Sequence, residues 1–172
     1  MLSSIRTGRL LLSPYGWQDL AELVTFKADP LCWALMLGGV RGRVQTERDL
    51  TQELRFWASH DVGMWTARGS DGRLLGVTGL HERPDARGIA LRFAFHPDVR
   101  GLGLAQEAAG AVLSDAHGRG RLTKVVAVTR NSNTVSRAVL GAIGMVQAGR
   151  FTRHHEPMLV FQSLRSERRP VE

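Results

Sequence analysis

Asp98-Val99-Arg100-Gly101-Leu102-Gly103-Leu104-Ala105-Gln106-Glu107 sets two glycines directly after an apolar, strand-like run and directly before a helical one. Gly103 and Ala105 carry little or no side chain, so the backbone N–H groups of about Leu102 to Ala105 can turn toward one point. The positive end of the following helix adds to them, and an anion with several oxygens is the ligand such a turn suits. Two other glycine loops that hold nucleotides are excluded by the residues present. A Walker loop needs Lys followed by Ser or Thr at the helix start, where Leu104-Ala105 stand. A dinucleotide fingerprint needs a third glycine and an acidic residue closing the next strand, and Lys124 to Val128 runs into Thr129 instead. A glycine pattern this short also serves as an ordinary turn, so its surroundings have to decide.

Upstream, Met64 to Arg68 and Leu74 to Leu80 are apolar runs separated by Gly69-Ser70-Asp71-Gly72, which reads as a hairpin. Ile89 to Phe95 adds a third antiparallel strand. Downstream, Leu104 to His117 reads as a helix with an alanine-rich face, ended by Gly118-Arg119-Gly120. Lys124 to Val128 is a β-branched strand, so strand, helix and strand form a crossover whose two strands run parallel. Asn131-Ser132-Asn133-Thr134 caps a helix reaching Ile143, and Gly144 stops it. Met145 to Phe151 and Pro157 to Leu164 form a closing antiparallel pair around the turn Thr152 to Glu156.

Before the hairpin, Thr7 to Pro14 reads as one strand and Trp17 to Ala28 as a helix ended by Asp29-Pro30. Leu31 to Gln45, with Gly38-Gly39 and Gly42, shows no regular pattern. Thr46-Glu47-Arg48-Asp49 has the form of a capping box and predicts a helix through Leu50, Leu54, Trp57 and Ala58.

A chain of 172 residues predicts one domain, residues 1–172, with its core at about 5–164 and a polar tail over 165–172. No run of eighteen apolar residues occurs and the first residues lack an apolar signal region, so the expectation is a soluble, cytoplasmic protein without a membrane partner. Cys32 is the only cysteine, which excludes an internal disulfide and a multi-cysteine zinc site, and it reads as an inert buried thiol. The formal charge is +7, but the basic residues are spread along the chain, apart from Arg41 to Arg43, Arg119 to Arg121 and the tail Arg165 to Arg169. Spread charge of this kind fits a solvated surface that draws polyanions better than a nucleic-acid site. His154-His155 cannot easily both face one ion and no other pair has ligand spacing, so no metal is expected.

The order of elements, together with Arg100-x-x-Gly103-x-Ala105, resembles the GNAT superfamily, whose members transfer an acyl group from acyl-CoA to an amine. Thr7-x-Arg9-Leu10-x-Leu12 and Asn131-x-Asn133-Thr134-x-Ser136-x-x-x-Leu140-x-x-x-Gly144-Met145 are similar to its branch of ribosomal-protein alanine N-acetyltransferases. The resemblance spans about residues 5 to 164. It implies an α/β fold of the α+β kind: a mixed, mostly antiparallel sheet of about seven strands with a central splayed parallel pair, and about four helices. It also implies acetyl-CoA or another acyl-CoA as co-substrate. The CoA pyrophosphate would rest on Arg100, Leu102, Gly103, Leu104 and Ala105, with Gly101 allowing the bend. The pantetheine arm would lie like an added strand on backbone of Phe93, Ala94 and Phe95, and Asn133 would bond it or serve only as a helix cap. A homodimer is a further expectation of the resemblance.

An acyl transfer needs the amine deprotonated, the oxyanion held and the thiolate protonated. The resemblance places the oxyanion donor at a backbone N–H near Phe95 and the thiolate's acid at Ser136, whose alternative is a solvated helix serine. The chain departs from many relatives in having Ala90 where they place a glutamate base, Arg92 where they have glycine, and Gly141 where they place a tyrosine acid. Candidates for the base are His81, Glu82, His96 and the His154-His155-Glu156 turn, with Glu156 first because the branch places its carboxylate there. Arg92 points to an acidic acyl group or acceptor, or to a solvated strand face. The leading expectation is an acyl-CoA-dependent N-acyltransferase acting on a primary amine of a protein N-terminus or a small molecule. The alternatives are a CoA-binding regulatory or scaffolding domain without catalysis and, further off, a nucleic-acid-binding module.

Overall fold

The computed structural model describes residues 3–166. The apolar runs form β1 (Ile5–Arg6), β2 (Leu11–Pro14), β3 (Met64–Arg68), β4 (Leu74–Glu82), β5 (Ile89–Phe95), β6 (Lys124–Arg130), β7 (Val146–Arg153) and β8 (Glu156–Leu164). They make one open eight-stranded sheet in the order β1-β2-β3-β4-β5-β6-β8-β7. Every neighbouring pair is antiparallel except β5 and β6. The helices are α1 (Leu20–Ala28), α2 (Pro30–Trp33), α3 (Arg43–His60), α4 (Leu104–His117) and α5 (Thr134–Ala142).

Strand alternation divides the core into two layers. Leu80, Leu91 and Phe95 face α4, whose Ala108 and Ala109 are fully buried and let the helix lie close to the sheet. Val77 and Met64 face the other way, against Leu23 and Phe26 of α1, Cys32 and Trp33 of α2 and Leu50 of α3. Burying each large apolar side chain contributes about 1.5–3 kcal/mol, so both layers hold β4 and β5 firmly.

The parallel pair behaves differently. β5 and β6 share one register pair, Ala90 opposite Val126, whereas β6 pairs with β8 along its whole length from Lys124 to Arg130. The two strands therefore splay toward the C-terminal end of β5. His96 N–H donates to Leu75 O on β4 at 2.9 Å. By alternation the main-chain groups of Ala94 also face β4, and those of Phe93 and Phe95 face the splay.

Several sequence expectations change. Among the described residues the sheet has eight strands where about seven were expected: the strand expected over Thr7 to Pro14 is confined to Leu11–Pro14, and Ile5–Arg6 before it folds back on Leu11 and Leu12 as a further strand. Helices number five and not about four among the described residues. Asp29-Pro30 ends α1 but also starts α2, Asp29 Oδ1 accepting from Leu31 N–H at 2.9 Å and Pro30 occupying the first turn. The capping box at Thr46 is not a helix start: α3 begins three residues earlier, where Gln45 Oε1 accepts from the N–H of its cap Gly42 at 2.8 Å. Of the polar tail, residues 167–172 lie outside the described residues.

Candidate active site

The glycine turn has the backbone its composition demands. Gly101 and Gly103 have φ of +79° and +77°, a region costing an L side chain about 1–2 kcal/mol. Gly103 caps α4, and the first helical bond is Glu107 N–H to Gly103 O at 3.0 Å. The N–H groups of Leu104, Ala105 and Gln106 are thus left at the helix mouth without an intrahelical acceptor.

A residue far away in sequence secures this turn. Arg9 donates from Nη1 to Leu102 O at 2.7 Å and from Nε to Glu107 Oε2 at 2.9 Å, while its own N–H bonds Glu107 Oε1 at 3.0 Å. Sequence reasoning quoted Arg9 only as part of a motif, because nothing local ties it to residues more than ninety positions on. Arg100 does not aim its guanidinium at the helix mouth: Nη2 donates to Phe95 O at 3.2 Å and to Leu31 O. It fixes the end of β5 against α2 and lines the splay.

The splay opens into a cavity of about 230 Å³. Phe93, Ala94, Phe95 and Arg100 line one side and Asn133 and Ser136 the other, with Cys32 from α2 and Ala105 from α4 between them. Ala94 contributes its methyl, its amide facing β4 as noted above. Asn133 is the cap of α5, Oδ1 accepting from Ser136 N–H at 3.1 Å, which leaves its side-chain NH2 for another acceptor. Leu35 and Val135 stand at this cavity 64% and 71% exposed, an apolar rim for a ligand to cover. Burial, with Asp29 beside it, pushes the Cys32 thiol up to about 11, so it stays protonated and inert.

A second cavity of about 480 Å³ lies on the α1–α3 side of the sheet. Met36, Leu37 and Arg92 belong to the walls of both, so the two spaces meet there. Arg92 is not on a solvated strand face. Its Nη2 donates to Glu53 Oε1 at 2.6 Å, and the same oxygen accepts from Lys27 Nζ at 3.4 Å. Lys27 is 1% exposed, and burial pushes its ammonium pKa down while Glu53 and Asp49 oppose that shift. Glu53 Oε2 and the Tyr15 hydroxyl are buried with no partner among the described residues.

Of the candidate bases, His81 lines the second cavity and Glu156 does not. Glu156 bonds Arg130 Nε at 2.7 Å, is 55% exposed at its side chain and stands with His154 in a neighbouring recess that shares Leu37, Gly38 and Arg153 with the second cavity. Burial, with Arg92 and Arg83 nearby, pushes the His81 imidazole down to about 3, so it is neutral at physiological pH. His96 packs edge-on against Phe26 with Nδ1 3.3 Å from Cys32 Sγ. Glu82 is exposed at the end of β4 and lines the second cavity. No group of three metal-ligating side chains occurs among the described residues.

The chain belongs to the acetyltransferase (GNAT) domain family, which matches residues 9–146. Its class is therefore that of acyl-CoA-dependent N-acetyltransferases. Among solved structures it is similar to the acetyltransferase from Agrobacterium tumefaciens, at 25% identity and a TM-score of 0.81 over 95% of each chain. It shares its fold with ribosomal-protein-S5-alanine acetyltransferase from Vibrio fischeri, at 12% identity and a TM-score of 0.80 over 98% of this chain and 100% of that one. The same fold occurs in a ribosomal L7/L12 alpha-N-protein acetyltransferase in complex with coenzyme A, at 13% identity and a TM-score of 0.76 over 94% and 98%. No curated protein matches the chain.

Proposed function

We propose that the chain is one acyltransferase domain that moves an acetyl group from acetyl-CoA to a primary amine of a protein N-terminus or a small molecule. The observation that carries this is the meeting of two cavities at Met36, Leu37 and Arg92, one formed by the splay and the other walled by α3 and β4. Acetyl-CoA fits the splay. Its pyrophosphate has the free amides of Leu104 and Ala105 at the helix mouth, and its pantetheine amides have the main chain of Phe93 and Phe95, which β6 leaves unpaired.

In the reaction, the neutral amine nitrogen attacks the thioester carbon and a C–N bond forms. The carbonyl oxygen, now negative, accepts from the N–H of Phe95 facing the splay. The C–S bond breaks and the departing sulfur takes the proton of the Ser136 hydroxyl. The proton shed by the nitrogen returns through water to that oxygen, so the products are an amide and a free thiol. His81 offers the N–H of the incoming neutral amine a hydrogen-bond acceptor and the Arg92 cation disfavours the ammonium form, which supports this cavity as the place where the amine is held neutral.

The protein is proposed to work in the cytoplasm, where acetyl-CoA is available, and as a homodimer through β7, the last and mostly exposed strand of the sheet. The test is thiol release from acetyl-CoA with a panel of amines, beside calorimetry with CoA. Saturable CoA binding and amine-dependent thiol are expected. CoA binding with no thiol for any amine would favour a binding domain, and no binding at all would end both.

A further inference from the structure

The walls of the second cavity hold more cationic hydrogen-bonding capacity than their own carboxylates use. Asp49 is taken up by Arg41, whose Nε and Nη2 each bond one of its oxygens at 2.9 Å. Glu53 spends Oε1 on Arg92 and Lys27, and its Oε2 is buried out of reach of the cavity. Asp85 takes Nε and Nη2 of Arg83, at 3.0 and 2.6 Å, and this pairing holds its carboxyl down to about 2. What remains is Nη1 of Arg41, Arg83 and Arg92 and the guanidinium of Arg153, none of which has an acceptor among the described residues. Glu82, exposed at the strand end, is the only carboxylate of this wall without a partner among them.

Along the strands, Arg83 and Arg92 stand on either side of His81. His81 stands opposite Ala90 and Gly79 opposite Arg92, and the ladder continues with Arg83 N–H on Gly88 O at 3.0 Å. His81, Arg83 and Arg92 therefore share a face of the sheet. Arg83 is only 7% exposed and spends Nε and Nη2 on Asp85, so Nη1 is the donor it keeps for a ligand in the cavity. A guanidinium N–H without an acceptor matches a carboxylate oxygen through a charge-assisted hydrogen bond. Burial first, and then the charges of Arg92 and Arg83, push the His81 imidazole down, so the cavity disfavours a further positive charge beside it.

We propose that the acceptor is a primary amine carrying a carboxylate, an amino acid or amino-acid-like metabolite, held through the carboxylate by Arg83 with its amine presented at Arg92. This rests on the acyltransferase reading above and narrows it. The carboxylate belongs to the acceptor and not to a dicarboxylic acyl donor. Among the described residues the splay cavity has one cation besides Arg92, Arg100, whose Nη2 is spent on the carbonyls of Leu31 and Phe95. Arg41, Arg83 and Arg153 line the acceptor side and not the splay.

The test measures thiol release from acetyl-CoA by the intact protein with acceptors that differ by one carboxylate, such as 4-aminobutyrate against propylamine and phenylalanine against phenethylamine. Rates are compared per neutral amine. At least one carboxylate-bearing partner is expected to show a kcat/KM roughly tenfold or more above its decarboxylated pair, because a site built for hydrogen bonds rejects the analogue that cannot make them. Arg83→Gln is expected to bring that ratio close to one, chiefly through KM, and Arg83→Lys to restore part of it. Calorimetry with CoA serves as the folding control for both variants. Turnover with ratios near one throughout, or a preference for polyamines, overturns the inference while leaving the acyltransferase reading standing. A preference for succinyl-CoA over acetyl-CoA with carboxylate-free amines also overturns it, by moving the charge to the donor. No thiol from any pair with either donor removes both readings.

Discussion

Glu53→Gln is the sharpest probe of the charged floor beneath the site. The substitution keeps the shape and one acceptor but removes the charge that faces Lys27 Nζ at 3.4 Å and Arg92 Nη2 at 2.6 Å. Arg92, about a quarter exposed, can turn toward the cavity and water. Lys27, at 1%, cannot, and its remaining neighbours are Asp49 at 3.9 Å and the Trp33 ring at 5.0 Å. Breaking a buried pair on one side costs about 3–5 kcal/mol, a large part of the roughly 5–15 kcal/mol that holds a domain together. Deprotonation limits the loss, since burial already pushes the Lys27 pKa down and removing Glu53 pushes it further. Between the depressed pKa of the variant and that of the parent, unfolding takes up a proton only in the variant. Its stability then rises with pH relative to the parent, by at most about 1.4 kcal/mol per pH unit. Urea unfolding at pH 7 and pH 9 is expected to show a deficit of several kcal/mol that shrinks at the higher pH. Lys27→Met combined with Glu53→Gln is expected to recover at least half of it, because a buried pair replaced on both sides is often neutral. A deficit under about 1 kcal/mol at both pH values, or strictly additive single costs, would refute this account.

The remaining expectations concern the site itself. His81 has an ordinary value of 6.5 and is pushed down to about 3, so the unfolded chain binds the extra proton between those limits and stability falls as pH drops through that window; His81→Gln should flatten the pH dependence of the urea midpoint between pH 4 and 6.5. The rate of acyl transfer should follow ionisation of the amine, without an inflection from His81 near pH 6.5. Gly103→Glu, which forces φ of +77° on an L side chain and sets a carboxylate at the helix mouth, should abolish CoA binding by calorimetry; unchanged affinity would contradict the cradle. Asn133→Ala removes a cap worth about 1 kcal/mol and the free amide in the splay, so CoA affinity should fall together with the melting temperature. Ser136→Ala should slow thiol release with CoA affinity unchanged, and an equal rate would make that serine a bystander.

Much of the fold was legible because its signals are local. The turn at Gly101 and Gly103 announces positive φ, the runs around Gly69 to Gly72 announce a hairpin, and a helix between two apolar strands announces a crossover with those strands parallel. The misreadings at Thr46 and at Asp29-Pro30 share one cause. A capping residue states that a helix can start there, and packing decides whether it does: Thr46 is fully buried inside α3, with no partner for its hydroxyl among the described residues. The two-residue strand Ile5–Arg6 carries too little pattern to be seen before β2 is there to receive it.

The candidate site divides along the same line. The residues proposed for the donor end could be named from the sequence: Leu102 to Ala105 because a glycine turn at a helix start is set within a few positions, and Asn133 with Ser136 through the resemblance to the family. Arg9 on the glycine turn, Glu53 between Lys27 and Arg92, and the withdrawal of Glu156 into a pair with Arg130 are contacts between distant segments. Sequence by itself determined the glycine turn and its free main-chain amides, since these follow from local conformation. Only the tertiary structure decided the charge of the second cavity, because that charge is what remains after side chains from α1, α3, β4 and β5 have neutralised one another, and the remainder exists only once they meet.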